Sequence, residues 1–288
     1  MLKKGIVIFA NSRAQLLNDC IVSVLEAKGS ENWKKVLVCQ RGFEDVEKIV
    51  DNYGFQFDTV IKINKQFESS LANINHNRIL GTFHCFNILK CEYVLGIEED
   101  TVISGDALSF IDQMFDLHRD KRAFRGINLG SHQPLTSQNQ NKFSLLRFGL
   151  HGQGGVLIRK SWVKIFSEKL FEEFSKEGWD SKFEFYLKSG FMVTPNASRI
   201  LDRGWGGTHA SSDPNSPYFE RMAKSWVGRN NVIPVKYQKE NVKHLWRIDS
   251  IVYNKKDSIF YCLRLNSIVL YFYKKLRKMH LKRFLVNK

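Results

Sequence analysis

Three consecutive carboxyl side chains, Glu98-Glu99-Asp100, follow directly on the apolar run Tyr93-Val-Leu-Gly-Ile97. Carboxylates crowded at the end of a buried strand repel one another and lose solvation, so a positive partner is expected to offset that cost. A divalent cation carrying phosphate oxygens is the economical partner, because hard metals take carboxylate oxygens, phosphate oxygens and water. Acidic triplets that only mark a strand end and face solvent are common, so this run alone does not establish a site. Two glycine-rich stretches, Gly149-Leu-His-Gly-Gln-Gly-Gly155 and Arg203-Gly-Trp-Gly-Gly-Thr-His209, have backbone that can approach a ligand closely, without the spacing of a Walker or Rossmann phosphate loop. His151 and His209 on these stretches are candidates for touching phosphate or acceptor, and Trp205 for a sugar platform or a loop anchor. Asp180, in Gly178-Trp-Asp-Ser181, reads as a helix N-cap or as a proton acceptor, with Asp202 and Asp213 as rivals for the second role.

The elements that must position these groups follow from periodicity. Gly5 to Ala10 is a short apolar run, then Leu16, Leu17, Ile21, Val24 and Leu25 recur at helical spacing, then Lys35-Val-Leu-Val-Cys39 is again apolar. Glu44 to Tyr53 repeats the helical pattern, Phe57 to Ile63 alternates like a strand, and Ala72 to Leu89 predicts a third helix before the strand Tyr93–Ile97. Strands alternating with helices imply right-handed crossovers and a mainly parallel sheet. Ligands of such sheets gather at the carboxyl ends of the strands, just after Phe9, Cys39 and Ile97. Ser104-Gly-Asp106 is expected to cap an apolar helix over Ala107–Leu117. The stretch from Arg125 to Phe148 reads as polar connection, Val156-Leu-Ile-Arg159 as an apolar run, and Lys160 to Phe174 as helix.

The chain has 288 residues, 43% hydrophobic and 25% charged, which excludes disordered and low-complexity classes. Its net charge of +15 is uneven: residues 219–288 carry +13 and residues 1–218 only +2. A near-neutral body with a basic extension does not fit a nucleic-acid-binding core, and no nucleic acid is expected as partner. From Asp257 the extension is apolar and aromatic, then rich in lysine and arginine (Lys274, Lys275, Arg277, Lys278, Lys282, Arg283). That pattern fits a helix lying on an anionic membrane surface, or one packed on the body with its basic side in solvent. Five scattered cysteines (Cys20, Cys39, Cys85, Cys91, Cys262) without zinc spacing read as reduced core thiols. The N-terminal apolar run is too short for a signal peptide, and no run reaches the length of a membrane span.

In their order along the chain these pieces resemble the GT-A glycosyltransferases, and within them the N-acetylglucosaminyltransferase I-like inverting enzymes. The resemblance covers about Lys3 to Ser212. Arg13 falls at that family's nucleotide-contacting arginine, and Val38-Cys-Gln40 resembles its strand leading to a glutamine and a uracil-binding aspartate, whose place Arg41 takes here. His76-Asn-Arg78 resembles its histidine-x-arginine, placing His76 toward the donor. Glu98-Glu99-Asp100 resembles its variant of the D-x-D signature, with Asp100 at the metal-ligand position and Glu99 near the ribose. Gly152 to Ile158, with Gly154 and Gly155, followed by Trp162, resembles the segment lining the sugar pocket. Trp179-Asp180 resembles the pair that carries the catalytic base, and Pro195 to Arg199 its proline-to-serine-arginine strand. Gly204 to His209 resembles a loop that orders over bound donor, with His209 as a donor-binding residue.

The resemblance implies an α/β fold of GT-A type, a mainly parallel nucleotide-binding sheet flanked by helices, with a donor half over about 1–105 and an acceptor half over about 106–218; the charge distribution adds a basic helical extension over 219–288. It implies an inverting transfer of a sugar, such as N-acetylglucosamine, from a nucleoside-diphosphate sugar, with a UDP-sugar as the expected donor. Asp180 would be general base, and Asp100 would hold Mn2+ or Mg2+. The expected acceptor is a hydroxyl of a glycan or lipid-linked saccharide at the inner face of the cytoplasmic membrane. Two other readings use the same residues: a nucleotidyl or sugar-phosphate transferase, and a non-catalytic carbohydrate- or membrane-binding module.

Overall fold

A computed structural model describes residues 2–146, 154–165, 190–206, 213–230 and 238–239. Asp180, His151, His209, Cys262 and the basic extension beyond Glu240 lie outside these. The described residues from Leu2 to Lys239 belong to one compact unit.

The first half alternates as the apolar pattern predicts: β1 (Lys4–Ala10), α1 (Ala14–Glu26), β2 (Lys34–Gln40), α2 (Glu44–Tyr53), β3 (Thr59–Ile63), α3 (Ser70–Phe83) and β4 (Tyr93–Glu98). Strands β1 to β4 are parallel in the order β3-β2-β1-β4. The third helix spans its pattern, α3 continuing without a break into a π-helical turn over His84–Ile88. A short strand β5 (Thr101–Ile103) and helix α4 (Ala107–His118) follow. Asp106 stands at the N-cap position of α4, but its carboxylate makes no capping bond. It accepts instead from Ser104 Oγ (2.6 Å) and from Nε of the fully buried Arg199 (3.2 Å). The expected cap is an internal ion pair.

The stretch read as polar connection holds two further strands, β6 (Phe124–Asn128) and β7 (Lys142–Leu146). Then come β8 (Gly155–Ile158), α5 (Arg159–Ile165), β9 (Phe191–Pro195), β10 (Ile200–Asp202), α6 (Pro217–Ser225) and the two-residue β11 (Gln238–Lys239). Among the described residues the main sheet has nine strands in the order β11-β7-β9-β6-β8-β4-β1-β2-β3, and β10 pairs with β5 in a separate two-stranded sheet. Antiparallel β8 joins the halves, pairing with β4 on one side and β6 on the other.

Two apolar layers enclose the sheet. One face packs against α1, α2 and α4 through Ile6, Ile8, Leu17, Ile21, Leu37, Val46, Leu95 and Ile111. The other packs against α3 and α5 through Val7, Phe9, Val36, Val38, Ile79, Val94 and Trp162. This three-layer α/β architecture agrees with the expectation, and Cys20, Cys39, Cys85 and Cys91 are free and buried in it. Among the described residues no helix is long and apolar enough to cross a membrane.

Candidate active site

Strands β1, β2 and β4 end side by side: Phe9 is in register with Glu98, and Ala10 with Cys39. The segments Asn11–Arg13 and Glu99–Asp100, with Gln40 at the end of β2, therefore emerge at one edge of the sheet. Glu99 is buried, and its carboxylate accepts the backbone N–H groups of Asn11 (2.5 Å), Ser12 (3.1 Å) and Arg13 (3.2 Å) and Nε of Arg13 (3.3 Å). Successive amides aimed at one anion make such a concavity favourable for charge, so Glu99 fixes the loop between β1 and α1.

Arg13 then reaches Asp100 through Nη2. Burial opposes the Arg13 charge, but Asp100 and Glu99 outweigh it, so its pKa is raised. Its Nη1 is buried with no hydrogen-bond partner, as is Oδ1 of Asn11. On the other side of β4, Glu98 pairs with Nη2 of Arg78, a buried residue of α3 whose guanidinium lies 5.0 Å over the Phe9 ring. The strip of carboxylates thus meets one arginine from the β1–α1 loop and one from α3.

A fourth carboxylate joins them. β10 runs antiparallel to β5 with Asp202 opposite Thr101. Asp202 accepts the Gly204 N–H (2.7 Å) and the Tyr218 hydroxyl (3.0 Å). A Cβ at position 204 would stand 2.6 Å from Oδ2 of Asp100 and 2.9 Å from Oδ1 of Asp202, so only glycine lets the chain pass between them. Burial first, then the charge of Glu98, with a further contribution from Asp202, raises the Asp100 carboxyl to about 7 in spite of Arg13. Burial and the neighbouring Asp202 also push the Tyr218 hydroxyl up. The cluster is short of positive charge, which is the electrostatic condition a hard cation satisfies. Among the described residues no three His, Cys, Asp or Glu groups converge at ligand distance. A metal here would be held by Asp100, with phosphate oxygens and water completing its shell.

The other expected site residues fall nearby in part. Gln40 is nearly buried at the end of β2, in register with Ile63. Gly155 lies opposite Gly96 of β4. Both glycines line, with Phe9, Arg78 and Thr82, a cavity of about 20 Å³, enough for about one water. Gly154 has φ +70°, and a Cβ there would meet Ile200 at 2.9 Å, so it turns the chain into β8 where a side chain has no room. His76 stands edge-on to Phe67 at 5.7 Å, while two residues on Arg78 makes the ion pair with Glu98. Asp213 is an exposed turn residue accepting the Asn215 N–H at 2.8 Å. Asp180 and His209 are outside the described residues. In the sequence Asp202 is one candidate base among three and Tyr218 carries no signal; β10 and α6 bring both to the acid cluster.

No protein-family profile matches the chain, and no curated protein matches its sequence. Solved structures do match. The 1–349 fragment of S. aureus TarS in complex with UDP-GlcNAc superimposes with a TM-score of 0.53 at 12% identity, covering 74% of this chain and 61% of that one. The same fragment with UDP gives 0.51 at 10% identity over 92% and 76%. The mannosyltransferase PcManGT from Pyrobaculum calidifontis, in complex with GDP-Man and Mn2+, gives 0.51 at 10% identity over 70% and 57%. The chain spans 36% of the length of the longer TarS chain it also matches. Likeness at this level is likeness of fold: the chain has a GT-A-like glycosyltransferase fold.

Proposed function

We propose that the protein is a metal-dependent, inverting glycosyltransferase that moves a sugar from a nucleoside diphosphate to a hydroxyl of a glycan or lipid-linked saccharide. The observation that carries this reading is the charge-deficient cluster of Glu98, Asp100 and Asp202 at the carboxyl edge of β4 and β10, faced by Arg13, in a fold shared with proteins solved in complex with UDP-GlcNAc and GDP-Man. Asp100 would hold Mn2+ or Mg2+, which when bound supplies positive charge for the departing diphosphate. Arg13, whose Nη1 has no hydrogen-bond partner, would donate to a phosphate oxygen. Glu99 keeps the β1–α1 loop in position, and Arg78 and Gln40 border the nucleotide-binding edge. Asp180 would take the proton of the incoming hydroxyl; its part rests on the resemblance of Trp179-Asp180. The basic extension would bring the enzyme to an anionic membrane surface carrying the acceptor, with the enzyme on the cytoplasmic side.

A panel of nucleotide sugars, including UDP-GlcNAc and GDP-Man, tests the reading by calorimetry and product analysis with Mn2+ and with EDTA. Metal-dependent binding of at least one donor and release of its nucleoside diphosphate are expected. Absence of binding across the panel overturns the reading, and release of pyrophosphate points to nucleotidyl transfer instead.

A further inference from the structure

Arg13 enters the acid cluster from the surface. Its side chain is 31% exposed, whereas those of its partners Glu99 and Asp100 are 4% and 3% exposed. Glu99 is fixed by the backbone amides of Asn11, Ser12 and Arg13, so of these three side chains the arginine is the one that can turn. Its guanidinium is held at two of its three nitrogens: Nε donates to Glu99 at 3.3 Å and Nη2 to Asp100, while Nη1 is buried without an acceptor. A buried N–H group left unpaired costs stability, so this position satisfies Arg13 only in part. Burial opposes its charge, and Asp100 followed by Glu99 more than offsets that, which is what keeps the guanidinium on the carboxylates.

Under the glycosyl-transfer reading Asp100 is also the carboxylate of the metal, so two cations claim one acid. A guanidinium and a divalent ion on the same carboxylate repel each other, and at a buried group water screens that repulsion little. The backbone beside Arg13 suits a second anion. Arg13 is the N-cap residue of α1, a 13-residue helix with no acidic side chain in its first turn, so the positive end of the helix lies next to the guanidinium. Turning about the Nε contact with Glu99 would carry the outer nitrogens away from Asp100, and a diphosphate would supply the acceptor that Nη1 lacks.

We propose that Arg13 competes with the divalent cation for Asp100 and is exchanged between two anions: it holds the carboxylate until a cation takes it, then turns to the diphosphate that arrives with that cation. Arg13 thereby makes cation and nucleotide bind together, with neither binding tightly alone. The diphosphate half of the exchange rests on the glycosyl-transfer reading; the competition at Asp100 does not.

Titration of the full chain with Mn2+ alone at pH 8, read as loss of the free Mn2+ signal in electron paramagnetic resonance, tests it. Arg13→Met is expected to bind Mn2+ about tenfold more tightly than the parent. The sign survives competition from the proton on Asp100, because removing a positive charge favours a divalent ion by about twice as much as it favours a proton. In the same variant the nucleotide that the parent binds, UDP or GDP, should bind about tenfold more weakly by calorimetry at saturating Mn2+, since a charge-assisted hydrogen bond is lost. A loosened β1–α1 loop would weaken both ligands and does not move them in opposite directions. Adding Asp100→Asn to Arg13→Met should abolish the gain in Mn2+ affinity. Mn2+ binding unchanged or weaker in Arg13→Met, a gain that persists in the double variant, or nucleotide affinity equal to the parent's overturns the exchange. Tighter Mn2+ binding in Arg13→Met with no nucleotide bound by parent or variant refutes the glycosyl-transfer reading and leaves the competition at Asp100 standing.

Discussion

At the residue scale, Glu99 and Asp100 show how two adjacent acids come to differ. Glu99 is satisfied by three backbone amides and an arginine, whereas burial and the charges of Glu98 and Asp202 raise Asp100 to about 7. An acid whose pKa is higher folded than unfolded (about 3.9) costs stability as pH rises: the cost is absent below about pH 4, grows between 4 and 7, and is constant above. Asparagine has the shape of the protonated acid and does not titrate. In metal-free buffer, Asp100→Asn is expected to melt with the parent near pH 4 and above it by at least about 2–4 °C at pH 8. Mn2+ with UDP should reverse the order by stabilising the parent alone. Differential scanning fluorimetry between pH 4 and 8 checks both, and a gap independent of pH rejects the electrostatic account. For Asp180, Asp180→Asn is expected to lower turnover by about 10²–10⁴ with metal-dependent donor binding intact. Undiminished product formation in that variant removes Asp180 from the proton transfer. The sequence exposed Asp100 because three acids follow an apolar strand. It hid Asp202, a single acid at the end of a short strand, because its importance comes from β10 pairing with β5.

At the element scale, β1, β2 and β4 were legible because buried parallel strands read as continuous apolar runs. β6 was not, because Phe124-Arg-Gly-Ile-Asn128 carries polar groups into a buried strand, where most of their partners come from distant parts of the chain. Arg125 donates to Arg122 O at 2.6 Å, Ser161 donates to Arg125 O at 2.7 Å, and Asn128 meets Thr194 at 3.3 Å. Helix α3 was legible, but its closeness to the sheet was not. A Cβ at Gly81 would lie 2.6 Å from Val7 and 2.7 Å from Val38, so glycine lets the helix press onto β1 and β2. Three residues earlier, Arg78 reaches Glu98. Gly81→Ala is expected to push α3 outward, costing about 1–3 kcal/mol in packing against a gain of about 1 kcal/mol in helix propensity. The variant should melt lower and bind nucleotide more weakly as Arg78 withdraws. Unchanged melting and affinity would show that α3 does not set the position of Arg78.

At the scale of the whole molecule, charge is placed unevenly along the chain. Residues 1–218 are near neutral at +2 although they hold the acid cluster, and residues 219–288 carry +13. A uniformly basic enzyme would draw in any polyanion; on the proposed reading, concentrating the charge in one extension would let an anionic surface be bound without flooding the donor site with competing phosphates. Each lysine or arginine near an anionic leaflet contributes about 1 kcal/mol, and the attraction decays within a Debye length of about 8 Å at physiological salt. Full-length protein is therefore expected to float with phosphatidylglycerol-containing vesicles at low salt, to stay behind with phosphatidylcholine alone, and to be released at about 1 M salt, where the Debye length falls to about 3 Å. Replacing Lys274, Lys275, Arg277 and Lys278 by glutamine in the full chain should lower the floating fraction while leaving nucleotide binding by the acid cluster unchanged. Equal flotation of parent and variant would show that the cluster is solvated charge rather than a membrane contact, and donor binding would then have to be joined to its acceptor by the body alone.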